Sequence, residues 1–135
     1  MATAEPHKYR DLKILLVEDQ ADVRETMRNT LRSIGIDHIF EAENGSEAIE
    51  MLHSINDFAD IIICDWNMPK TNGLDVLREV RISHPELPFL MVTGRDDIQS
   101  VREARDEGVT AYIRKPFSAN EIEAKIRIMS SSSPF

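Results

Sequence analysis

Ile61-Ile62-Ile63-Cys64-Asp65-Trp66-Asn67-Met68-Pro69 is the stretch on which the fold turns. Its apolar, β-branched run has the pattern of a strand buried on both faces, and such strands belong to parallel sheets covered by helices. In those sheets ligands and chemistry collect at the C-terminal ends of the strands. Asp65 stands at such an end, ahead of a tight-turn sequence. A carboxylate in that place is a candidate nucleophile or metal ligand.

Three other segments end in the same way. Ile14-Leu15-Leu16-Val17 runs into Glu18-Asp19, Phe89-Leu90-Met91-Val92 into Thr93-Gly94, and Ala111-Tyr112-Ile113-Arg114 into Lys115-Pro116. With a fifth apolar run these predict strands at 12–17, 36–41, 60–64, 89–92 and 111–114, alternating with helical-period segments. That alternation is the α/β class, a doubly wound parallel sheet with helices on both faces. If the strands are parallel, three acids, a hydroxyl and a lysine converge at one sheet edge.

The intervening segments carry helical signals. Val23, Met27, Leu31 and Ile34 share one face, with Gly35 as a stop. Asn44 and Glu47 form a capping-box pattern ahead of Ala48, Ile49 and Leu52, and Ser118 and Glu121 form another ahead of Ile122, Ile126 and Met129. Leu74, Leu77 and Val80 mark a third helix, closed by Pro85 and Pro88. Ile98, Val101 and Ala104 mark a fourth that stops near Gly108. Asp22 and Asp96 suit N-caps or first turns. The reading is one domain at 12–129, with loose tails at 1–11 and 130–135 and no further domain to carry output.

The 135 residues are enough for one core without metal or disulfide support. Cys64 is the only cysteine, so no internal disulfide forms and a reducing, cytoplasmic setting is expected. The opening residues have no signal-peptide pattern, and no apolar run is long enough to span a membrane. The net charge of -8, with no basic face, argues against nucleic-acid binding.

Alone, Glu18 and Asp19 read as first-turn acids stabilised by a helix dipole. Grouped with Asp65 they require a cation, because two unit charges about 4 Å apart repel by roughly 4 kcal/mol at an effective dielectric of about 20. Mg²⁺ suits an open, all-oxygen site that is completed by phosphate oxygens. Lys115 precedes Pro116, and a cis turn there would aim its ammonium inward, where a point charge suits a phosphoryl oxygen. Thr93 with Gly94 reads as a hydroxyl and N–H donor pair for an anion. His7, His38, His53 and His84 show no metal spacing and read as surface residues. Trp66, Met68 and Tyr112 read as packing residues.

In correct order at the strand ends, Glu18-Asp19, Asp65 through Pro69 with Gly73, Thr93-Gly94, Tyr112 and Lys115-Pro116-Phe117 resemble the receiver domain of two-component response regulators, in particular the stand-alone chemotaxis regulators. The resemblance implies a flavodoxin-like (βα)5 sandwich with strand order 2-1-3-4-5. It implies that Asp65 accepts a phosphoryl group from a histidine kinase, and that Asp19, Asp65 and the backbone carbonyl of Asn67 bind Mg²⁺, with Glu18 acting through a coordinated water. It implies that Thr93, the N–H of Gly94 and Lys115 bind the phosphoryl oxygens. Thr93 and Tyr112 would form a switch that remodels the surface of the fourth helix, fifth strand and fifth helix, where Arg102, Arg105 and Arg114 lie. Arg95 and Asn67 would tune hydrolysis of the acyl phosphate.

Output would be a protein contact, with a flagellar motor switch protein as the first candidate effector, a phosphatase as a further partner, and a phosphate-sink or relay role as the alternative. Glu18 stands where many such domains have aspartate, with its charge kept. The rival from another class is a phosphohydrolase of the haloacid dehalogenase type, which needs a second aspartate two residues after the nucleophile; that position is Asn67. A nucleotide-binding module is weaker still, since neither glycine-rich phosphate motif occurs.

Overall fold

Five parallel strands, β1 (Lys13–Val17), β2 (His38–Ala42), β3 (Ile61–Asp65), β4 (Phe89–Thr93) and β5 (Ala111–Arg114), form one sheet in the order β2-β1-β3-β4-β5 in the computed structural model. The helices between and after them are α1 (Ala21–Ser33), α2 (Gly45–Ser54), α3 (Gly73–Ser83), α4 (Ile98–Asp106) and α5 (Ala119–Ser131). The structure describes residues 9–54, 58–94 and 98–131; Asp96 and Arg95, read above as a cap and a tuning residue, and His7 lie outside them. None of the described helices is long and apolar enough to cross a membrane.

Period-two alternation divides the core. Leu15, Val17, Ile62, Cys64, Phe89 and Met91 pack with Ala48 and Leu52 of α2, Leu74, Val76, Leu77 and Val80 of α3, and Ala104 of α4. Ile14, Leu16, Ile61, Ile63, Leu90 and Val92 face the other way, onto Met27 and Leu31 of α1 and Ile122, Ile126 and Met129 of α5. Trp66 and Met68 join the first cluster, so the loop after Asp65 is nailed to the core by its side chains. Tyr9, assigned above to a loose tail, is 5% exposed in the second cluster, so the packed body begins ahead of the predicted boundary.

The expected capping signals operate. Ser118 and Glu121 exchange both capping bonds. Asn44 accepts from the Glu47 N–H, while Glu47 reaches back to the Glu43 N–H one residue before the cap. Asn72 and Asp75 form a further capping box that starts α3. Gly35 takes a φ of 100° and ends α1.

Three expectations shift. The second strand begins at His38 rather than 36, because the Ile36 N–H closes the helix end on the Leu31 carbonyl and is taken from the ladder. Ile49 is only half-buried. In α4 the small residues Ser100 and Ala104 face the sheet, leaving Ile98 69% and Val101 38% exposed.

Far from the C-terminal strand ends, Arg81 fastens two loops. Its guanidinium donates to the carbonyls of Gly108, His84 and Leu87 and to Thr110 Oγ1, at 2.8–3.2 Å.

At the opposite rim α3 begins hard against β3. A Cβ on Gly73 would lie 2.6 Å from the Asp65 carbonyl oxygen and 2.8 Å from Trp66 Cα, both backbone atoms that cannot rotate away. A Cβ on Gly94 would meet nothing within 4 Å. Gly73→Ala is therefore expected to lower stability by about 1–3 kcal/mol in urea unfolding, and Gly94→Ala to change it by no more than about 0.5 kcal/mol.

Candidate functional site

Between β1 and β3 the strand order reverses, since the chain leaves β1 outward to β2 and returns to β3 on its other side. Ligand crevices of doubly wound sheets form at that switch point, beyond the C-terminal strand ends. β1 delivers Glu18 and Asp19 there and β3 delivers Asp65, with a ligand atom of each lying within 4.8 Å of the others. β5 delivers Lys115, whose Nζ stands 3.2 Å from Asp65 Oδ1 and 3.8 Å from Glu18 Oε1. The Lys115–Pro116 peptide is cis, and the Lys115 N–H donates to the Thr93 carbonyl at 2.8 Å.

Glu18 is 1% and Asp65 4% exposed, whereas Asp19 is half-buried. Burial pushes the Glu18 carboxyl up to about 7; the Gln20 N–H opposes this, Asp65 adds to the rise, and Lys115 again opposes it. Asp65 is also held above the ordinary carboxylate value by burial, with the Lys115 ammonium pulling it back down and Asp19 adding to the rise. Three carboxylates meet one ammonium, leaving two negative charges to be offset when all are ionised.

The donor set fits Mg²⁺. It is all oxygen, it is open on the Asp19 side, and Glu18 Oε1 is buried without a hydrogen-bond partner. At 4.8 Å two of these charges repel by roughly 3–4 kcal/mol at an effective dielectric of about 20. A divalent cation cancels that repulsion.

The other predicted residues distribute around this centre. Thr93 is fully buried at the end of β4, one residue beyond the Asp65–Val92 register pair. Gly94 and Asn67 are exposed at the rim. Tyr112 is half-buried opposite Met91 and packs against the cluster on the α2–α4 side. Cys64 is fully buried, and desolvation, with Asp65 and Glu18 adding to it, pushes its thiol well above the ordinary value, so it carries no nucleophilic chemistry.

Two residues at the back of the site were not singled out in the sequence. Arg24 of α1 donates to the Glu18 carbonyl and to Glu41 of β2. Their only signal is a basic residue on a helix and an acid on an edge strand, far apart in the chain.

A family model described as the response regulator receiver domain matches residues 14–127. The chain belongs to that family. Over 117 residues this receiver domain is 41% identical to the chemotaxis protein CheY of Pseudomonas aeruginosa, an alignment covering 85% of this chain and 93% of that one. A solved receiver domain from Clostridium thermocellum superposes with a TM-score of 0.83 at 27% identity, covering 89% of this chain and 94% of the other. Vibrio cholerae CheY4 superposes with a TM-score of 0.80 at 27% identity, covering 87% and 98%. The chain is a CheY-like receiver domain with the flavodoxin-like fold.

The raised Glu18 carboxyl sets a pH dependence. With a folded value of about 7 against an ordinary 4.5, the folded state binds more protons than the unfolded state in that window. Its contribution to stability is therefore lost as pH rises through it. In EDTA the urea midpoint should fall between pH 5.5 and pH 8, and Glu18→Gln should flatten the fall and unfold later than the parent at pH 8. Parallel profiles for the two proteins would count against this origin.

Proposed function

We propose that this receiver domain accepts a phosphoryl group on Asp65 from a histidine kinase and signals through a phosphorylation-dependent protein contact in chemotaxis. The observation that carries the reading is the Asp65 carboxylate, nearly enclosed, 3.2 Å from the Lys115 ammonium and clustered with Glu18 and Asp19. The relative from Pseudomonas aeruginosa is itself a chemotaxis protein, which supports the output half of the proposal.

In the transfer, an Asp65 carboxylate oxygen attacks phosphorus as the phosphorus–nitrogen bond of a phosphohistidine breaks, and the departing imidazole nitrogen takes up a proton from solvent. The carboxylate must be ionised to attack. Lys115, although drawn to Asp65 beforehand, keeps it so and then pairs with a transferred oxygen, while the Thr93 hydroxyl and the Gly94 N–H donate to the others. Asp19, Asp65 and the Asn67 carbonyl would hold Mg²⁺, with Glu18 acting through a coordinated water. That ion would supply neutralisation of the phosphoryl oxygens. Asn67 stands where an aspartate general acid/base would be needed for steady phosphatase turnover, so the chain acts as a phosphoacceptor that dephosphorylates itself.

The signal then leaves through α4, β5 and α5. Thr93 moves toward the phosphoryl group and Tyr112 toward the space beside it, which biases a pre-existing equilibrium. Ile98, Val101, Arg102, Arg105 and Arg114 are exposed on or beside that surface, an apolar strip among charges of both signs that include Glu103 and Asp106. A flagellar motor switch protein is the effector proposed, with a phosphatase as a further partner and the cytoplasm as the place of action. The folded body responsible is the domain read at 12–129, with its packed start extended to Tyr9.

Incorporation of radiolabelled phosphate from a small phosphodonor should require Mg²⁺ and vanish in Asp65→Asn; label retained at another residue would refute the assignment. A chromogenic phosphate ester should show no steady turnover. Beryllofluoride with Mg²⁺ should enhance capture of a motor switch protein from cell extract relative to the apo form. Capture of no partner in an activation-dependent way would move the output to a phosphate sink or relay.

A further inference from the structure

Arg24 grips the acid turn by its main chain. Its Nη1 donates to the Glu18 backbone carbonyl at 2.8 Å, and its Nε donates to Glu41 Oε1 at 3.1 Å. Glu41 lies in β2 directly opposite Leu16 of β1, two residues before Glu18. Arg28, one helical turn beyond Arg24, closes on the same carboxylate at 2.8 and 3.0 Å. The guanidinium therefore ties the main chain of a site residue to the neighbouring strand through an acid that is itself held by a second cation.

We propose that Arg24 is the positioning residue of the metal site, with Glu41 as its anchor. The inference rests on the receiver reading above. Glu18 and Asp19 are consecutive acids on a turn, and their charges repel each other and Asp65, so the turn tends to splay when no cation is bound. Three bonds oppose this at Glu18: its N–H donates to the Ala42 carbonyl at 3.1 Å, its Oε2 accepts from the Gln20 N–H at 3.1 Å, and its carbonyl accepts from Arg24. Of these three hydrogen bonds the last alone comes from a side chain on another element; the Lys115 ammonium, 3.8 Å from Oε1, adds an ion pair to the side chain but does not hold the main chain.

That bond is charge-assisted and sheltered, since the Arg24 side chain is 15% exposed. It ties the Glu18 carbonyl to α1 and, through Glu41, to β2, and so restrains the backbone from which the Glu18 and Asp19 side chains leave. Arg28 shares the anchor without touching the turn. The two arginines thus separate stapling of α1 onto β2 from placement of the ligands.

Supporting groups of this kind change metal affinity by about 10- to 100-fold when removed. Mg²⁺ affinity of the full chain, followed by Trp66 emission and by calorimetry, provides the test, with urea unfolding in EDTA measured alongside. Arg24→Ala is expected to raise the Mg²⁺ Kd about tenfold or more, whereas Arg28→Ala raises it less than about twofold although it removes an ion pair to the same acid. Arg24→Lys, which can reach one acceptor but not both, should recover stability more fully than affinity.

Equal Kd values for parent and Arg24→Ala, or equal weakening by Arg24→Ala and Arg28→Ala, would overturn the proposal. If Arg24→Ala does not fold, Arg24→Lys carries the same comparison, and an unchanged Kd there overturns it. A parent chain that binds no Mg²⁺ would remove the receiver-site reading itself, a failure distinct from one confined to the arginine variants.

Discussion

Mutual repulsion among Glu18, Asp19 and Asp65 is the constraint around which the rest of the molecule is organised. Nothing in the intrinsic preferences of the chain favours three carboxylates within 4.8 Å, two of them nearly enclosed. Their proximity is imposed by a sheet whose apolar strands are buried on both faces and cannot slip in register without turning the core outward. The large hydrophobic interior holds the acids together, and Lys115 offsets only part of the cost. What remains is a deficit of positive charge that a divalent cation can fill.

Topology then decides which groups share that deficit. Because β1 and β3 are neighbours while α1, β2 and α2 intervene in the chain, the acid pair and the central aspartate meet at the switch point although they are distant in sequence. β4 and β5 follow on one side, so Thr93 and Lys115 arrive from successive strands, linked by the bond between the Lys115 N–H and the Thr93 carbonyl. The surface beyond Thr93 and Tyr112 is also where α4 leaves apolar side chains in water. The candidate site and the candidate output surface thus lie on neighbouring elements of the fold.

Much of this was legible in the residue order. Unbroken Ile, Leu and Val runs marked the inner strands, capping residues marked the starts of α2 and α5, and the acids and lysine could be placed at strand ends without coordinates. The strand order came from the family resemblance rather than from periodicity. Less legible were features set by tertiary contact. Ile98 and Val101 have helical spacing suited to burial, but the small side chains of Ser100 and Ala104 allow the other face of α4 to approach the sheet. Tyr9 looked like tail because it precedes the first periodic run, yet its ring joins the apolar cluster on the α1–α5 side of the sheet and becomes core. Arg24 and Glu41 carry no local signature, since their pairing exists only once β2 lies beside β1.

Arg81 gives the molecule a stiff heel. By tying the loops before β4 and β5 to the end of α3, it clamps the very two strands whose opposite ends carry Thr93 and Lys115. Displacements at the chemical end must then behave like the flexing of a cantilever, largest at the free tip and vanishing at the root. For the proposed switch, such a root would favour spread sideways across the rim over passage down the length of the sheet.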